Sequence, residues 1–98
     1  MRDLKVLFSR RVEKDLEGIA DFIGQDSPRR ALTFIRELRE RCVAIAHHPE
    51  AYPLREEYGP GIRMTVHGRY LIFHRLRGGA LVIEHVVHGA RHLAGMSL

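Results

Sequence analysis

Seven histidines and fourteen arginines carry most of the chemical reach of this 98-residue chain. They concentrate, with a tyrosine, between positions 63 and 91: Arg63, Tyr70, His74, His85, His88 and Arg91. Cleaving an RNA phosphodiester without a metal needs a base for the 2′-hydroxyl, an acid for the leaving oxygen and cations for the charge on phosphorus. In such a site Arg63 would supply charge, His85 or His74 proton transfer, and Tyr70 positioning, with His88 and Arg91 at hand. Each residue also has a plainer role. Arg63 could bridge neighbouring strands, Tyr70 could be half-buried packing, and His88-Gly89-Ala90-Arg91 could be a strand exit. His74 and His85 have no third ligand at metal spacing, so no metal and no cofactor is expected. Cys42 falls on an apolar helical stripe and reads as a packing residue. His47-His48 falls at a helix end, where partial positive charge meets the dipole favourably.

Composition bounds the function classes. The chain is 45% apolar and 29% charged, a globular composition with enough aliphatic side chains to offset ordering entropy. Its length suits one domain spanning residues 1–98. No apolar run approaches the roughly twenty residues needed to cross a bilayer, and the start of the chain lacks a signal-peptide core. A single cysteine agrees with a reducing compartment, so a cytoplasmic location and no membrane association are expected. The formal charge is +4. Arginine's planar fork suits phosphate and carboxylate alike, which leaves nucleic acid and an acidic protein open as partners. A GC-rich genome would produce the same bias.

These residues need elements to position them. Leu4, Val6 and Phe8 alternate as a short strand. Ser9 then caps a helix whose apolar face is Val12, Leu16, Ile19, Ala20 and Ile23, closing at Gly24. Ser27 caps a second helix with Pro28 at its first position. Ala31, Phe34, Ile35, Leu38, Cys42, Ile45 and Ala46 form its stripe, Arg29, Arg30, Arg36, Glu37, Arg39, Glu40 and Arg41 its solvated face, and Pro49 its stop. The short link predicts an antiparallel hairpin. A loop over 49–60 carries three prolines. The period then switches to two, predicting strands near 61–66, 69–77 and 80–88, with His67-Gly68 and Gly78-Gly79 as two-residue turns.

Those turns imply a register in which Val66 opposes Arg69, Met64 opposes Leu71, Ile62 opposes Phe73, Phe73 opposes Glu84 and Leu71 opposes Val86. One face then collects Ile62, Met64, Val66, Leu71, Phe73, Val82 and Val86 and receives the helices, with Arg75 and Glu84 as a partly buried pair. The other collects Arg63, Thr65, Tyr70, Ile72, His74, Leu81, Ile83, His85 and Val87. Open to water it would be a sizeable apolar patch, so another polypeptide, in preference to the tail over 89–98, is expected to cover it. A bulge would scramble this assignment.

Three stretches carry a family resemblance: Gly61-Ile62-Arg63, Gly68-Arg69-Tyr70-Leu71-Ile72-Phe73-His74-Arg75, and Val82-Ile83-Glu84-His85-Val86-Val87-His88-Gly89-Ala90-Arg91. Together they resemble the ParE branch of the RelE/ParE toxin superfamily. Within them, Gly61, Arg63, Tyr70, Phe73, Arg75, His88, Gly89 and Arg91 match the family motif. Ala20-Asp21-Phe22-Ile23, Ser27-Pro28-Arg29-Arg30-Ala31 and His48-Pro49 fit the amino-terminal half. His74 stands where tyrosine is usual, and His92 where an acid often follows the arginine.

The resemblance implies an α+β fold, β-α-α-β-β-β, with a helical hairpin on one face of a small, mainly antiparallel sheet. It also implies the toxin of a bacterial type II toxin–antitoxin pair, with growth inhibition and plasmid stabilisation as its roles. A ParD-like antitoxin would neutralise the toxin by threading a segment around it. The implied antitoxin face is Arg63, Tyr70, Ile72, His74, Leu81, Ile83, His85 and Val87. ParE-type relatives inhibit DNA gyrase without catalysis, whereas RelE-type relatives cut messenger RNA in the ribosome. The His-Gly-Ala-Arg ending and the Arg55-Glu56-Glu57-Tyr58 loop favour the gyrase target. Arg63, Tyr70, His85, His88 and Arg91 are the catalytic candidates of the ribonuclease alternative. Only under that alternative is direct nucleic-acid binding expected. A degenerate toxin that only binds its antitoxin is the third reading.

Overall fold

A computed structural model describes residues 4–91 and 93–98 of the chain; His92 lies outside them. The elements follow the order expected from the pattern: β1 (Lys5–Phe8), α1 (Arg10–Gly24), α2 (Pro28–Ile45), then β2 (Arg63–His67), β3 (Tyr70–Arg77) and β4 (Ala80–His88). Both caps form as read. The Ser9 hydroxyl accepts the Val12 N–H at 3.0 Å and donates to the Glu84 carbonyl at 3.1 Å, so one side chain starts α1 and pins it to β4. The Ser27 hydroxyl accepts the Arg30 N–H at 3.2 Å, with Pro28 at the start of α2.

The four strands lie in the order β1-β4-β3-β2. β1 runs parallel to β4, while β2·β3 and β3·β4 are antiparallel. Val12, Leu16 and Ile19 of α1 and Leu38, Cys42 and Ile45 of α2 pack with Ile72, Leu81, Ile83 and Val86 into the main core. Each such aliphatic side chain contributes about 1.5–3 kcal/mol when fully buried.

The register departs from expectation at two places. Gly68-Arg69, not His67-Gly68, is the first turn, so His67 pairs Tyr70, Val66 pairs Leu71 and Met64 pairs Phe73. Only glycine adopts φ +58° without strain, and Gly68 fills that position. This is a slip of two residues and leaves the faces of β2 and β3 as they were. The second departure is a bulge. Arg75 pairs Val82 as expected, but between Phe73 and His74 the partner shifts, so Phe73 meets His85 and Leu71 meets Val87. Glu84 is the extra residue, and beyond it β4 exchanges its faces.

The larger correction concerns which face the helices take. Helices cover the side of Ile72, His74, Leu81 and Ile83, which the sequence reading left open to a partner. The opposite side, with Ile62, Phe73 and Val87, forms a smaller core with Tyr58, Met64, Leu71, Leu93, Met96 and Leu98. The chain's own tail therefore covers it. The Leu98 N–H donates to the Tyr58 carbonyl at 2.6 Å and anchors that tail.

Candidate functional site

Most residues of the expected open face are occupied within the fold. Ile72, Leu81, Ile83 and His74 are fully buried, and Val87 and His85 nearly so. Val87 belongs to the tail-covered core, across the bulge from its expected neighbours. Arg63 donates from Nη1 to the Tyr52 carbonyl at 2.7 Å, tying the proline-rich loop to β2. Tyr70 is half-buried against the main core, its ring 5.4 Å from that of Phe34.

The two buried histidines are held by polar partners that the alternation of the strands does not reveal. His74 Nε2 lies 2.8 Å from the Thr65 hydroxyl, and its ring meets Tyr52 edge-on. Burial, reinforced by the Arg63 charge, lowers its pKa to about 4, so the imidazole is neutral. His85 Nδ1 lies 2.5 Å from a carboxylate oxygen of Asp15 on α1, and the same oxygen accepts the Val86 N–H at 2.9 Å. Asp15 thereby serves the strand beyond the bulge, where β1 no longer pairs with β4.

The family-motif positions divide in the same way. Arg75 Nε donates to Glu84 at 2.7 Å, the expected pair, with both side chains largely buried. Phe73 is buried beneath Tyr58. Gly61 adopts φ +72°, and Gly89 passes so close to the Arg69 carbonyl that a Cβ there would crowd it. His88, the last residue of β4, and Arg91 just beyond it are exposed. Of the five ribonuclease candidates, Arg63 and His85 are thus engaged structurally, while Tyr70, His88 and Arg91 gather at one end of the sheet.

Cys42 is buried and unpaired, and burial pushes its thiol up to about 12, which removes nucleophilic character at neutral pH. Among the described residues no group of three His, Cys, Asp or Glu side chains stands close enough to hold a metal, and no helix is long and apolar enough to cross a membrane.

The open apolar surface lies elsewhere, on the outside of the helical hairpin. A groove between α1 and α2 is floored by Leu16, Ala20, Leu32, Ile35, Val43 and Ala44. Leu32 is 75% and Val43 51% exposed. Acidic Glu13, Glu17 and Asp21 form the α1 rim, while Arg36, Arg39 and Glu40 form the α2 rim. Arg39 crosses to Glu13 at 2.7 Å with both side chains a little under half exposed, so that pair is screened by solvent and contributes little. Leu32 and Val43 are eleven positions apart, three helical turns, and so repeat on one side of α2. That signal was present in the sequence but hidden among the charges of the solvated face.

Similarity to known proteins decides the family. The model of the ParE toxin of the type II toxin–antitoxin system parDE matches residues 6–93. The chain belongs to the ParE toxin family. It is thereby a toxin of a type II toxin–antitoxin system. The toxin also has the fold of a solved structure described as a chromosomal ParDE TA system from P. aeruginosa, with a TM-score of 0.74 at 18% identity. That alignment covers 87% of this chain and 95% of the other. No curated protein matches the toxin.

Proposed function

We propose that this toxin acts in the cytoplasm by binding DNA gyrase and blocking replication, and that a ParD-like antitoxin silences it by laying an amphipathic segment into the α1–α2 groove. The observation that carries the antitoxin half is the groove itself. It offers apolar side chains in an elongated channel with one acidic and one mostly basic rim. An amphipathic helix with an apolar stripe and charges of both signs is complementary to such a channel. The sheet is largely covered, by the helices on one face and by the tail over Ile62, Phe73 and Val87 on the other, with Leu7 and Val66 left as separate half-exposed residues.

For the target, membership of the ParE family favours gyrase over the ribosome. The engagement of Arg63 and His85 in structural bonds supports the same choice, since it removes one of the two histidines and one of the two arginines from a ribonuclease set. The test is a supercoiling assay on relaxed plasmid. Purified toxin should inhibit supercoiling or trap cleaved plasmid, and the antitoxin encoded beside it should reverse this. Unaffected gyrase, together with messenger RNA cut in a translating extract, would replace this reading with the ribonuclease one.

A further inference from the structure

One end of the sheet carries a row of rings that neither the hairpin groove nor the tail uses. His67, the last residue of β2, lies 5.8 Å from Phe34 of α2 by ring centroids. Phe34 lies 5.4 Å from Tyr70, and Tyr70 lies 5.3 Å from His88, the last residue of β4. The four rings thus run continuously from one strand end to another. His67, Phe34 and Tyr70 are half-buried and His88 is exposed, so the row reaches solvent.

Two exposed arginines flank it. Arg69 sits in the β2–β3 turn, where its carbonyl accepts the Gly89 N–H at 2.7 Å. Arg91 follows β4, its N–H bonded to the His88 carbonyl at 3.0 Å. These backbone bonds fix the main chain of both at the same end of the sheet as the rings. Some arginines are engaged, as Arg39 with Glu13, Arg75 with Glu84 and Arg63 with the Tyr52 carbonyl, while others, Arg10 and Arg77 among them, stand exposed like Arg69 and Arg91. Among the described residues the guanidiniums of Arg69 and Arg91 have no partner.

Packing explains Phe34 and Tyr70, which lean on the main core. His88 Nδ1 also accepts the Ala90 N–H at 3.1 Å, which shapes the strand exit but leaves the ring in solvent. Packing does not explain why rings and two exposed arginines collect at one end of the sheet. Stacking surfaces interleaved with cations are what an unpaired strand requires, since bases stack on rings of any sequence and phosphates take arginine. We propose that His67, Phe34, Tyr70 and His88, with Arg69 and Arg91, bind single-stranded nucleic acid, bases on the rings and phosphates on the arginines. This site is separate from the antitoxin groove and independent of the gyrase target.

The test is fluorescence anisotropy of the full chain with labelled oligothymidylate and oligouridylate of about twelve nucleotides, within the span one small domain covers. Binding should weaken steadily with salt. Arg69→Ala with Arg91→Ala should flatten the slope of log K against log salt by about 1.4, since each phosphate contact on a single strand contributes about 0.7. His88→Ala should weaken binding roughly tenfold through lost stacking, with the slope kept. All three side chains are exposed, so the variants should keep the parent melting temperature. Arg10→Ala with Arg77→Ala removes the same charge, with Arg77 at the far end of β3, and should change little. Binding of the thymidylate alone, the uridylate alone or both assigns the site to DNA, RNA or their shared chemistry. Failure to bind either strand would overturn the proposal. So would a control pair as damaging as Arg69 with Arg91, or a His88 variant that binds like the parent.

Discussion

The sheet's second face and the outer side of the helical hairpin are both apolar surfaces, yet the molecule treats them differently. Phe73, Ile62 and Val87 on the sheet lie beneath Leu93, Met96 and Leu98 of the same chain. Leu32 and Val43 on the hairpin have no such cover and stand half or more in water. A self-covered face needs no partner to be soluble. An uncovered groove is a candidate contact surface. The difference is the basis for proposing the antitoxin contact on the helices in place of the strands, where His74 and His85 are bonded within the fold.

Substitutions can break or sharpen this contrast. The deepest should be Ile83→Ala, in the core between sheet and helices, costing about 2–5 kcal/mol in urea unfolding. Met96→Ala in the tail-covered core should cost clearly less, and equal costs would mean that the tail is as integral a layer as the helices. Next is the effect of acid. His74 binds its proton near pH 4 in the fold but near 6.5 when unfolded, so protons favour the unfolded chain between these values. Stability should be fully present above pH 6.5 and fall by about 3 kcal/mol on going to pH 4, at about 1.36 kcal/mol per unit. His74→Phe should flatten that fall, and an unchanged profile would show that His74 binds its proton equally in the folded and unfolded chain.

Asp15→Ala leaves the Val86 N–H and the His85 ring without their acceptor, for a cost of about 1–3 kcal/mol. Rapid amide exchange at Val86 in that variant would show that Asp15 carries the strand beyond the bulge. The smallest effect on the fold should come from Gly59→Ala. Gly59 has φ +152°, and an added methyl would overlap the Leu98 carbonyl oxygen, so the tail must lift. A loss of about 1–2 kcal/mol is expected, the scale of local backbone strain. Proteolysis of the tail should quicken while the helices stay protected.

Much of this fold was legible in the residues. Ser9, Ser27 and Pro28 announce the two helices, and Gly78-Gly79 announces the second hairpin. The orientation of the sheet was not legible, because both of its faces are apolar and a period of two says only that faces alternate. His74 and His85 looked like solvent-facing residues because their partners, Thr65 and Asp15, are distant in sequence or sit on a helix. The bulge at Glu84 has no signature in composition. The groove was missed for a different reason: Leu32 and Val43 are single apolar residues in an arginine-rich face, and only the helical repeat connects them.

The contrast between the two surfaces is tested most directly by calorimetric titration of the toxin with the antitoxin encoded beside it. Leu32→Glu and Val43→Glu place charge in the groove at exposed positions, so the fold should keep its melting temperature. Binding should weaken by about a hundredfold, the scale of losing a central anchor of an interface. Val66→Glu, on an exposed strand residue of the tail-covered side, should bind as the parent does. Full affinity in the groove variants, with binding lost at Val66, would return the antitoxin to the sheet and contradict this account.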